Sequence, residues 1–205
     1  MTLYSDINSL RKSEISQLVR TRLNDFRKMG KKGNKDWFSE LCFCILTANS
    51  KAHTALAIQH KLGCVGFLSL SKSQLTRTIR ENKHRFHNIK AGFIVDARQF
   101  RGIKGVLKKE KDPRGWLVAN VKGIGWKESS HFLRNVGYTD YAILDRHILN
   151  LMLENGLIKE RSNPLNEKNY LAIEKKLEKF ARRLKMSQAE LDLYMWFMKT
   201  NKVLK

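Results

Sequence analysis

Residues 121–133 read VKGIGWKESSHFL and contain two glycines separated by one apolar residue. Glycine tolerates tight turns, and no side chain obstructs its backbone N–H group. We expect a hairpin at Gly123 and Gly125, followed by a helix that begins near Trp126. The positive end of that helix and the open N–H groups form a surface that holds a phosphate without reading base sequence. Taken alone, however, the Gly-x-Gly pattern favours a simple interhelical turn.

Lys127 falls in the first turn of this expected helix. The helix dipole and the nearby Lys122 both disfavour an ammonium charge there, so a lysine at that position can act as a neutral amine nucleophile. In isolation, a lysine of a basic protein is more often exposed to solvent or in contact with a phosphate. Asp145 lies eighteen residues downstream in the run YAILDRHIL, and by itself it is most simply the N-cap of a helix.

Outside this segment, apolar residues recur at helical spacing along most of the chain. One stripe of four residues is expected to face the core. It comprises Ile89, Phe93, Ala97 and Phe100. Another amphipathic helix is expected to follow Asn163 and Pro164. No segment shows the sustained alternation of a strand, and glycine-containing breakers separate the helices by short loops. The sequence therefore predicts an all-α bundle.

The composition is that of a globular and strongly basic chain. Of 205 residues, 42% are apolar, while 40 lysines and arginines stand against 19 acidic residues. The formal charge of +21 exceeds what solubility requires and indicates a polyanionic partner. A merely basic soluble protein and a binder of acidic membranes are the alternatives. No apolar run approaches the roughly 18 residues of a spanning helix, and the first residues do not resemble a signal peptide. We therefore expect an intracellular protein, in the cytoplasm or nucleoid, that does not act at a membrane.

The three cysteines, Cys42, Cys44 and Cys64, are an odd number and have no CxxC spacing. Cys42 and Cys44 lie within the apolar run LCFCIL, where small buried side chains are the simplest interpretation. No histidine cluster accompanies them. We therefore expect neither a structural metal nor an iron-sulfur cluster.

The motifs around Lys127 and Asp145, taken together, resemble a known enzyme family. The sequence GIGWK, the spacing of eighteen residues and the apolar-Asp-x-His-apolar run are similar to those of the helix-hairpin-helix DNA glycosylases. In that family the hairpin lysine attacks the sugar and the aspartate assists. The resemblance therefore implies that Lys127 is the catalytic nucleophile and that Asp145 is its carboxylate partner.

The same resemblance implies a fold and a surface for DNA. The fold would be a two-lobed helical bundle that forms a single domain over residues 1–205. Its helix-hairpin-helix motif would lie at about 113–135, at the active-site cleft. Gly123, Gly125 and Lys122 would then contact the DNA backbone. Lys122 stands where many relatives have proline, and this departure loosens the hairpin without altering the chemistry.

Two further segments extend the resemblance. Residues 40–50, ELCFCILTANS, are similar to the family's early helix and following loop, where an Asn or Gln enters the gap left by the extruded base. Asn49 matches that residue. Residues 85–91, RFHNIKA, are similar to the loop that supplies a wedge to the base stack. Phe86 is then the wedge candidate and Arg85 the candidate reader of the orphaned base, with a buried core role for Phe86 as the alternative.

The C-terminal end distinguishes between branches of the family. The lack of a four-cysteine C-terminal cluster argues against the endonuclease III branch. The short chain ending WFMKTNKVLK resembles the archaeal-type 8-oxoguanine glycosylases. That resemblance implies that Trp196 and Ser130 sandwich the extruded base and that Lys205 contributes near it. A packed tryptophan and a frayed basic tail are the alternative.

The hypothesis that follows is a base-excision DNA repair enzyme acting on damaged double-stranded DNA. It would extrude 8-oxoguanine, form a Schiff base between Lys127 and the sugar, and cut the strand by β-elimination, as a glycosylase with AP lyase activity. This chemistry requires no metal and no cofactor. Excision of oxidised pyrimidines, a non-catalytic hairpin module that only holds DNA, and an RNA-binding or ribosomal protein are the alternatives. We expect a monomer, because a base-flipping cleft needs no second subunit.

Overall fold

The computed structural model describes residues 2–161 and 165–205. Over these ranges the backbone forms helices joined by short loops and no strand, which confirms the all-α prediction. In chain order the helices are α1 (Leu3–Arg11), α2 (Ile15–Lys31), α3 (Asn34–Thr47), α4 (Ala52–Ser69), α5 (Lys72–Glu81), α6 (His87–Ala97), α7 (Ile103–Leu107), α8 (Pro113–Asn120), α9 (Trp126–Asn135), α10 (Arg146–Glu154), α11 (Glu167–Arg183) and α12 (Gln188–Thr200), with a 3-10 helix at Arg98–Phe100.

The start of α11 differs from the expected one, and the helices bear on the question of a membrane span. Asn163 and Pro164, expected just before a helix, lie outside the described residues; α11 begins at Glu167, and the Asn166 side chain caps it. None of the helices within the described ranges has both the length and the apolar character needed to cross a membrane.

The chain divides into two compact units, which agrees with the two lobes expected from the sequence. Unit 1 comprises the described residues up to Gly30 together with those from Leu133 onward, and unit 2 comprises Lys31–Phe132. In unit 1, α12 packs against α1, α10 and α11; in unit 2, α3 packs against α4, α6 and α7. That both units form a single glycosylase domain stays a prediction.

Helix α3 is the buried centre of unit 2. Every residue from Trp37 to Thr47 is buried, so the helix is enclosed around its whole circumference rather than along one stripe. Cys42 and Cys44 lie within it as fully buried thiols outside any disulfide, which confirms their interpretation as small core residues. Burial raises the pKa of the Cys42 thiol well above its ordinary value, with a smaller opposing effect of the Arg98 charge.

The buried side of α6 differs from the expectation by one residue. Ile89 is 56% exposed, whereas its neighbour Lys90 is only 5% exposed. The buried residues on this helix are Lys90, Ala91, Ile94 and Ala97. Both registers have apolar residues at helical spacing, so periodicity does not distinguish them. Helix α6 packs against α3, α4 and α5, and burial of Ala91, Ile94 and Ala97 places Lys90 on the same buried side.

Candidate active site

The hairpin between α8 and α9 follows from its flanking residues. Asp112 caps α8 by accepting the backbone N–H of Gly115 at 3.0 Å, and Pro113 occupies the first position of the helix. Gly123 has a φ of +88°, and a Cβ atom added there would lie 2.2 Å from Cδ2 of Phe93. Both observations require glycine at this position. The turn therefore packs directly against the aromatic ring of Phe93 on α6.

Lys127 is the second residue of α9, and its amine is paired with a neighbouring carboxylate. Its Nζ atom lies 2.7 Å from Oε1 of Glu128, and the two side chains are 32% and 11% exposed. The other carboxylate oxygen of Glu128 accepts the backbone N–H of Gly125 at 3.4 Å. Glu128 thus connects the turn to the candidate nucleophile, a connection that sequence reasoning did not identify.

Lys122, predicted to contact the DNA backbone, lies on the exposed side of the hairpin. Its Nζ atom is 3.3 Å from Oδ2 of Asp96 on α6, and its side chain is 72% exposed. A surface ion pair of this kind contributes little to stability and separates readily. Lys122 therefore remains accessible to a phosphate that displaces Asp96.

A second lysine lies buried near Lys127. Burial lowers the pKa of Lys90 from 10.5 to about 8; the negative charge of Glu128 opposes this effect, and the positive charge of Lys127 adds to it. The Nζ atom of Lys90 is 5.9 Å from the centroid of the Phe93 ring. A lysine that is 5% exposed is rare in a folded protein, and no sequence motif pointed to this one.

The structure brings together three residues that the sequence placed in two distant segments. The Arg85 Nη2 atom donates to the backbone carbonyl of Asn49 at 3.4 Å, and the Arg85 guanidinium lies 4.5 Å from the centroid of the Phe86 ring. Asn49 is exposed and has a left-handed φ of +59°. Phe86 is only half-buried, so it is not a core residue. Asn49, Arg85 and Phe86 therefore form one partly exposed cluster in unit 2.

The buried His84 holds the backbone of this cluster in place through two hydrogen bonds. Its Nδ1 atom accepts the backbone N–H of Phe86 at 3.2 Å, which leaves Nε2 to donate to the carbonyl of Leu46 at 2.9 Å. The histidine is 1% exposed, and burial lowers its pKa. A neutral His84 thus ties the loop before α6 to the end of α3. Sequence reasoning missed this residue because a single histidine in a polar loop carries no distinguishing signal.

Ser130, predicted to contact the base, is fully buried on α9. Its hydroxyl group donates to the carbonyl of Trp126 at 2.9 Å and accepts from the Arg114 guanidinium at 3.2 Å. The same guanidinium lies 4.8 Å from the centroid of the Trp126 ring. The hydroxyl group is therefore engaged within unit 2, and contact between Ser130 and a base stays a prediction.

Asp145 is the N-cap of α10 in unit 1. Its Oδ1 atom accepts the backbone N–H of Ile148 at 2.8 Å, which is the capping role that the sequence left open. Its Oδ2 atom has no hydrogen-bond partner among residues 2–161 and 165–205. The carboxylate is half-buried, so one oxygen fixes its orientation while the other is available for chemistry.

Trp196 and Lys205 lie at the C-terminal end of unit 1. The Trp196 ring meets the His147 ring at 90°, with 5.2 Å between centroids. Its indole N–H is buried and finds no acceptor in the part of the chain that the structure describes. Such a donor is available to a ligand. Lys205 is half-buried.

Within the described ranges, no group of three or more His, Cys, Asp or Glu side chains is arranged to hold a metal ion.

Comparison with known proteins identifies similar proteins over the whole chain. The family model described as 8-oxoguanine DNA glycosylase matches residues 19–186. The 8-oxoguanine DNA glycosylase/AP lyase of Methanocaldococcus jannaschii is 45% identical over 208 aligned residues, with 100% of both chains covered. The protein of the same name from Korarchaeum cryptofilum is 40% identical over 99% of this chain and 98% of its own. The crystal structure of the Methanocaldococcus jannaschii glycosylase/lyase in complex with a 15mer DNA containing 8-oxoguanine has a TM-score of 0.97 and 43% identity, with 100% of each chain covered.

Proposed function

Because this chain belongs to the 8-oxoguanine DNA glycosylase family, we propose that it removes 8-oxoguanine from damaged double-stranded DNA and then cleaves the strand as an AP lyase. The full-length relatives that carry both activities in their names support this proposal. The similar structure that holds DNA containing 8-oxoguanine supports the same substrate. The net charge of +21 suits a polyanionic partner, and binding should weaken steeply with added salt.

The observation that carries the proposal is the placement of Lys127. Its partly exposed amine stands in the first turn of α9, directly after the turn that contains Gly123 and Gly125. Backbone N–H groups and a helix N-terminus bind a phosphate without reading sequence, which would hold the DNA backbone beside the amine. Lys122 adds an exposed positive charge on the same hairpin.

Chemistry on a base requires that the base leave the stack, and the cluster in unit 2 is suited to occupy the vacancy. Phe86 would insert as the wedge, Arg85 would contact the orphaned base, and Asn49 would enter the gap. Their mutual contacts support a joint role. In the base pocket, Trp196 and Ser130 would sandwich the extruded base. Lys205 would lie near it.

The reaction would begin with the neutral Lys127 amine attacking C1′ of the damaged nucleotide. As the nitrogen–carbon bond forms, the bond from C1′ to the base breaks, and its electron pair leaves with the base, which takes up a proton. The free Oδ2 atom of Asp145 would stabilise the positive charge that develops on the sugar. The lone pair of the attached nitrogen then breaks the bond from C1′ to O4′ of the sugar, O4′ takes up a proton, and this ring opening gives the Schiff base. The Schiff base acidifies C2′, and loss of that proton expels the 3′ phosphate by β-elimination. These steps need no metal and no cofactor.

Two rival functions share part of this arrangement. A non-catalytic hairpin module would use Gly123 and Gly125 to hold DNA, but it would have no need of an amine at Lys127. An oxidised-pyrimidine glycosylase would keep the mechanism and change only the pocket. We propose that the protein acts as a monomer inside the cell and away from membranes.

The test uses duplexes that contain one 8-oxoguanine, one thymine glycol or no damage, incubated with borohydride to reduce any Schiff base to a stable adduct. The variants are the intact chain, Lys127→Gln and Lys61→Gln. Lys61 is the control because it is an exposed lysine of unit 2 that is paired with a carboxylate, its Nζ atom 2.8 Å from Oε2 of Glu81.

We expect an adduct on 8-oxoguanine for the intact chain and for Lys61→Gln, and none for Lys127→Gln. Trapping on thymine glycol alone would overturn the substrate and retain the mechanism. DNA binding without an adduct on any duplex would favour the non-catalytic module.

A further inference from the structure

The chain turns sharply where α12 ends. Asn201 is the C-cap of this helix and has a left-handed φ of +54°, a conformation that asparagine tolerates better than most residues. Its backbone N–H donates to the carbonyl of Phe197 at 2.8 Å. The Thr200 hydroxyl group donates to the carbonyl of Trp196 at 2.8 Å. The tail, defined here as residues 201–205, therefore leaves α12 about one helical turn beyond Trp196.

The tail is packed against unit 1. Val203, Leu204 and Lys205 are all half-buried. Short segments at the edge of a domain are usually poorly ordered unless other parts of the chain hold them. The burial of three successive residues therefore calls for a contact that restrains the backbone of the tail.

Arg22 on α2 makes such a contact. Its Nη2 atom donates to the backbone carbonyl of Val203 at 3.4 Å, across 181 positions of sequence. Its Nη1 atom donates to Oδ2 of Asp25 at 3.3 Å, one turn further along α2. One side of the guanidinium is thus held by its own helix, while the other side reaches the tail.

Stability alone does not explain an arginine at this position. The Arg22 side chain is only 33% exposed, and its Nε atom is buried without an acceptor among residues 2–161 and 165–205. A buried donor that lacks a partner costs free energy. The ion pair with Asp25, whose side chain is 46% exposed, contributes little in return. A residue that is unfavourable in this way is more often retained for function.

The tail is relevant to the proposed base pocket because it continues directly from the helix that carries Trp196. The indole N–H of Trp196 is buried and has no acceptor within the described ranges, so it is available to a ligand. Lys205, which we propose to lie near the extruded base, is two residues beyond the carbonyl that Arg22 holds. A tail that is already in place binds the base without first losing conformational entropy.

We propose that Arg22 is a positioning residue for base excision: by holding the carbonyl of Val203, it keeps the tail, and with it Lys205, beside Trp196 in the base pocket. This inference rests on the proposed function. Arg22 acts through the tail and does not touch the DNA base. Its loss should therefore affect removal of the base and spare the steps that follow once the base has gone.

The test compares two duplexes under single-turnover conditions. One contains 8-oxoguanine, and release of the base is measured; the other contains a preformed abasic site, and the borohydride adduct is measured. The variants are Arg22→Met, which keeps an apolar stem but has no donor, Lys205→Ala, and the two combined. Asp25→Asn controls for loss of the ion pair. Arg182→Gln controls for loss of one positive charge in unit 1, because Arg182 is an exposed arginine paired with Glu178.

We expect Arg22→Met and Lys205→Ala to release 8-oxoguanine about 10-fold more slowly than the intact chain. Both should form the adduct on the abasic duplex at the normal rate, because no base occupies the pocket there. The double variant should be no slower than Lys205→Ala, since the two residues act through one segment. Asp25→Asn and Arg182→Gln should behave like the intact chain on both duplexes.

A second measurement follows the tail itself and does not depend on activity. Trypsin cleaves after lysine, and Lys202 is exposed at the start of the tail. Brief digestion followed by intact mass measurement reports the loss of residues 203–205. Arg22→Met should lose them several times faster than the intact chain and Arg182→Gln, because a released segment is cleaved more readily. Melting curves show whether each variant is folded.

Several results would overturn the inference. Normal release of 8-oxoguanine by Arg22→Met, or an unchanged rate of cleavage after Lys202, would mean that the contact does not hold the tail in place for excision. Equal slowing on both duplexes would give Arg22 a general role in folding or DNA binding. A loss in Asp25→Asn as large as that in Arg22→Met would assign the effect to the ion pair.

The double variant and the intact chain provide the remaining outcomes. Losses that multiply in the double variant would mean that Arg22 and Lys205 act independently, which would also reject the inference. If the intact chain releases 8-oxoguanine while Arg22→Met does so equally well, the proposed function stands and only this inference fails. If the intact chain releases no 8-oxoguanine, both are rejected.

Discussion

The hydroxyl group of Tyr170 accepts the backbone N–H of Leu144 at 3.2 Å, immediately before Asp145 in the chain. The same hydroxyl group donates to the carbonyl of Ala142 at 2.7 Å, and Tyr170 is 1% exposed. Glu174, four residues later on α11, accepts the backbone N–H of Ala142 at 2.8 Å. Helix α11 thus fixes, through buried hydrogen bonds, the backbone segment that presents Asp145.

The Tyr170 hydroxyl group can be removed without changing the shape of the aromatic ring. Tyr170→Phe removes the bonds to Ala142 and Leu144 while keeping the aromatic ring, so we expect the free energy of unfolding to fall by about 1–3 kcal/mol. Adduct formation should slow as well, because Asp145 loses part of its support. Urea denaturation and the borohydride assay measure the two effects. Tyr4→Phe, at a residue that is 47% exposed, is the control and should change neither.

The two roles of Asp145 can be separated by substitution. Asn retains a side-chain oxygen that caps α10, so Asp145→Asn should fold with nearly unchanged stability and yet lose most of its activity, since it carries no negative charge. Asp145→Ala should lose the same activity and, in addition, about 1 kcal/mol of stability. Thermal melts combined with single-turnover rates distinguish these outcomes. Full activity in Asp145→Asn would show that the residue is only a cap.

The two glycines of the hairpin should respond differently to alanine. At Gly123 the positive φ and the 2.2 Å approach to Phe93 leave no room for a methyl group, so Gly123→Ala should be clearly destabilised. At Gly125 the nearest atom to an added Cβ is Oε2 of Glu128 at 3.8 Å, which is an ordinary contact. Gly125→Ala should therefore melt close to the intact chain. Equal melting temperatures for the two variants would contradict the geometry of the turn.

Lys90 should make the folded protein less stable at neutral pH than a neutral residue would. Its pKa is about 8 in the folded chain, against an ordinary value of 10.5, so below pH 8 the folded state bears the full penalty of a buried charge. Between pH 8 and 10.5 the folded state releases the proton while the unfolded state retains it, and stability rises with pH. We expect Lys90→Met to be more stable by about 2–3 kcal/mol at pH 7 and to lose this advantage near pH 10.5.

Denaturant titrations at pH 7, 9 and 10.5 measure this difference. A stability difference that does not vary with pH would locate its cause in packing, not in the charge of Lys90.

The helices and the turn were predictable because their determinants are local. Gly123, the apolar periodicity and the Asp112–Pro113 start of α8 act through neighbours in the chain. The register of α6 was not predictable, because apolar residues recur at helical spacing in both registers and only packing against other helices decides whether Ile89 or Lys90 is buried. Lysine is rarely buried in folded proteins, so residue type also favoured an exposed Lys90. Its burial follows from the packing of α6.

Sequence motifs pointed to some residues of the candidate site, whereas contacts made only in the folded chain could not be predicted. Lys127 and Asp145 were chosen because their motifs resemble those of a family, and the structure adds that Asp145 also caps α10. Glu128 adjoins Lys127 in sequence, yet its role depends on which way its side chain turns, and no motif encodes that. The contact of Arg85 with Asn49 joins residues that lie 36 positions apart, a relationship that local patterns do not contain.

The contacts of Arg85 have a consequence for how the protein searches DNA. The Arg85 guanidinium lies over the Phe86 ring and donates a hydrogen bond to the carbonyl of Asn49, while His84 accepts the backbone N–H of Phe86. These contacts hold Phe86, the proposed wedge, in one place in the free protein. Its insertion into DNA would therefore cost little of the roughly 0.5–1.5 kcal/mol of conformational free energy that ordering a mobile side chain requires. A preorganised probe can test each base pair during a brief encounter, so the residence time at undamaged DNA can stay short while damaged pairs, which open more easily, are retained.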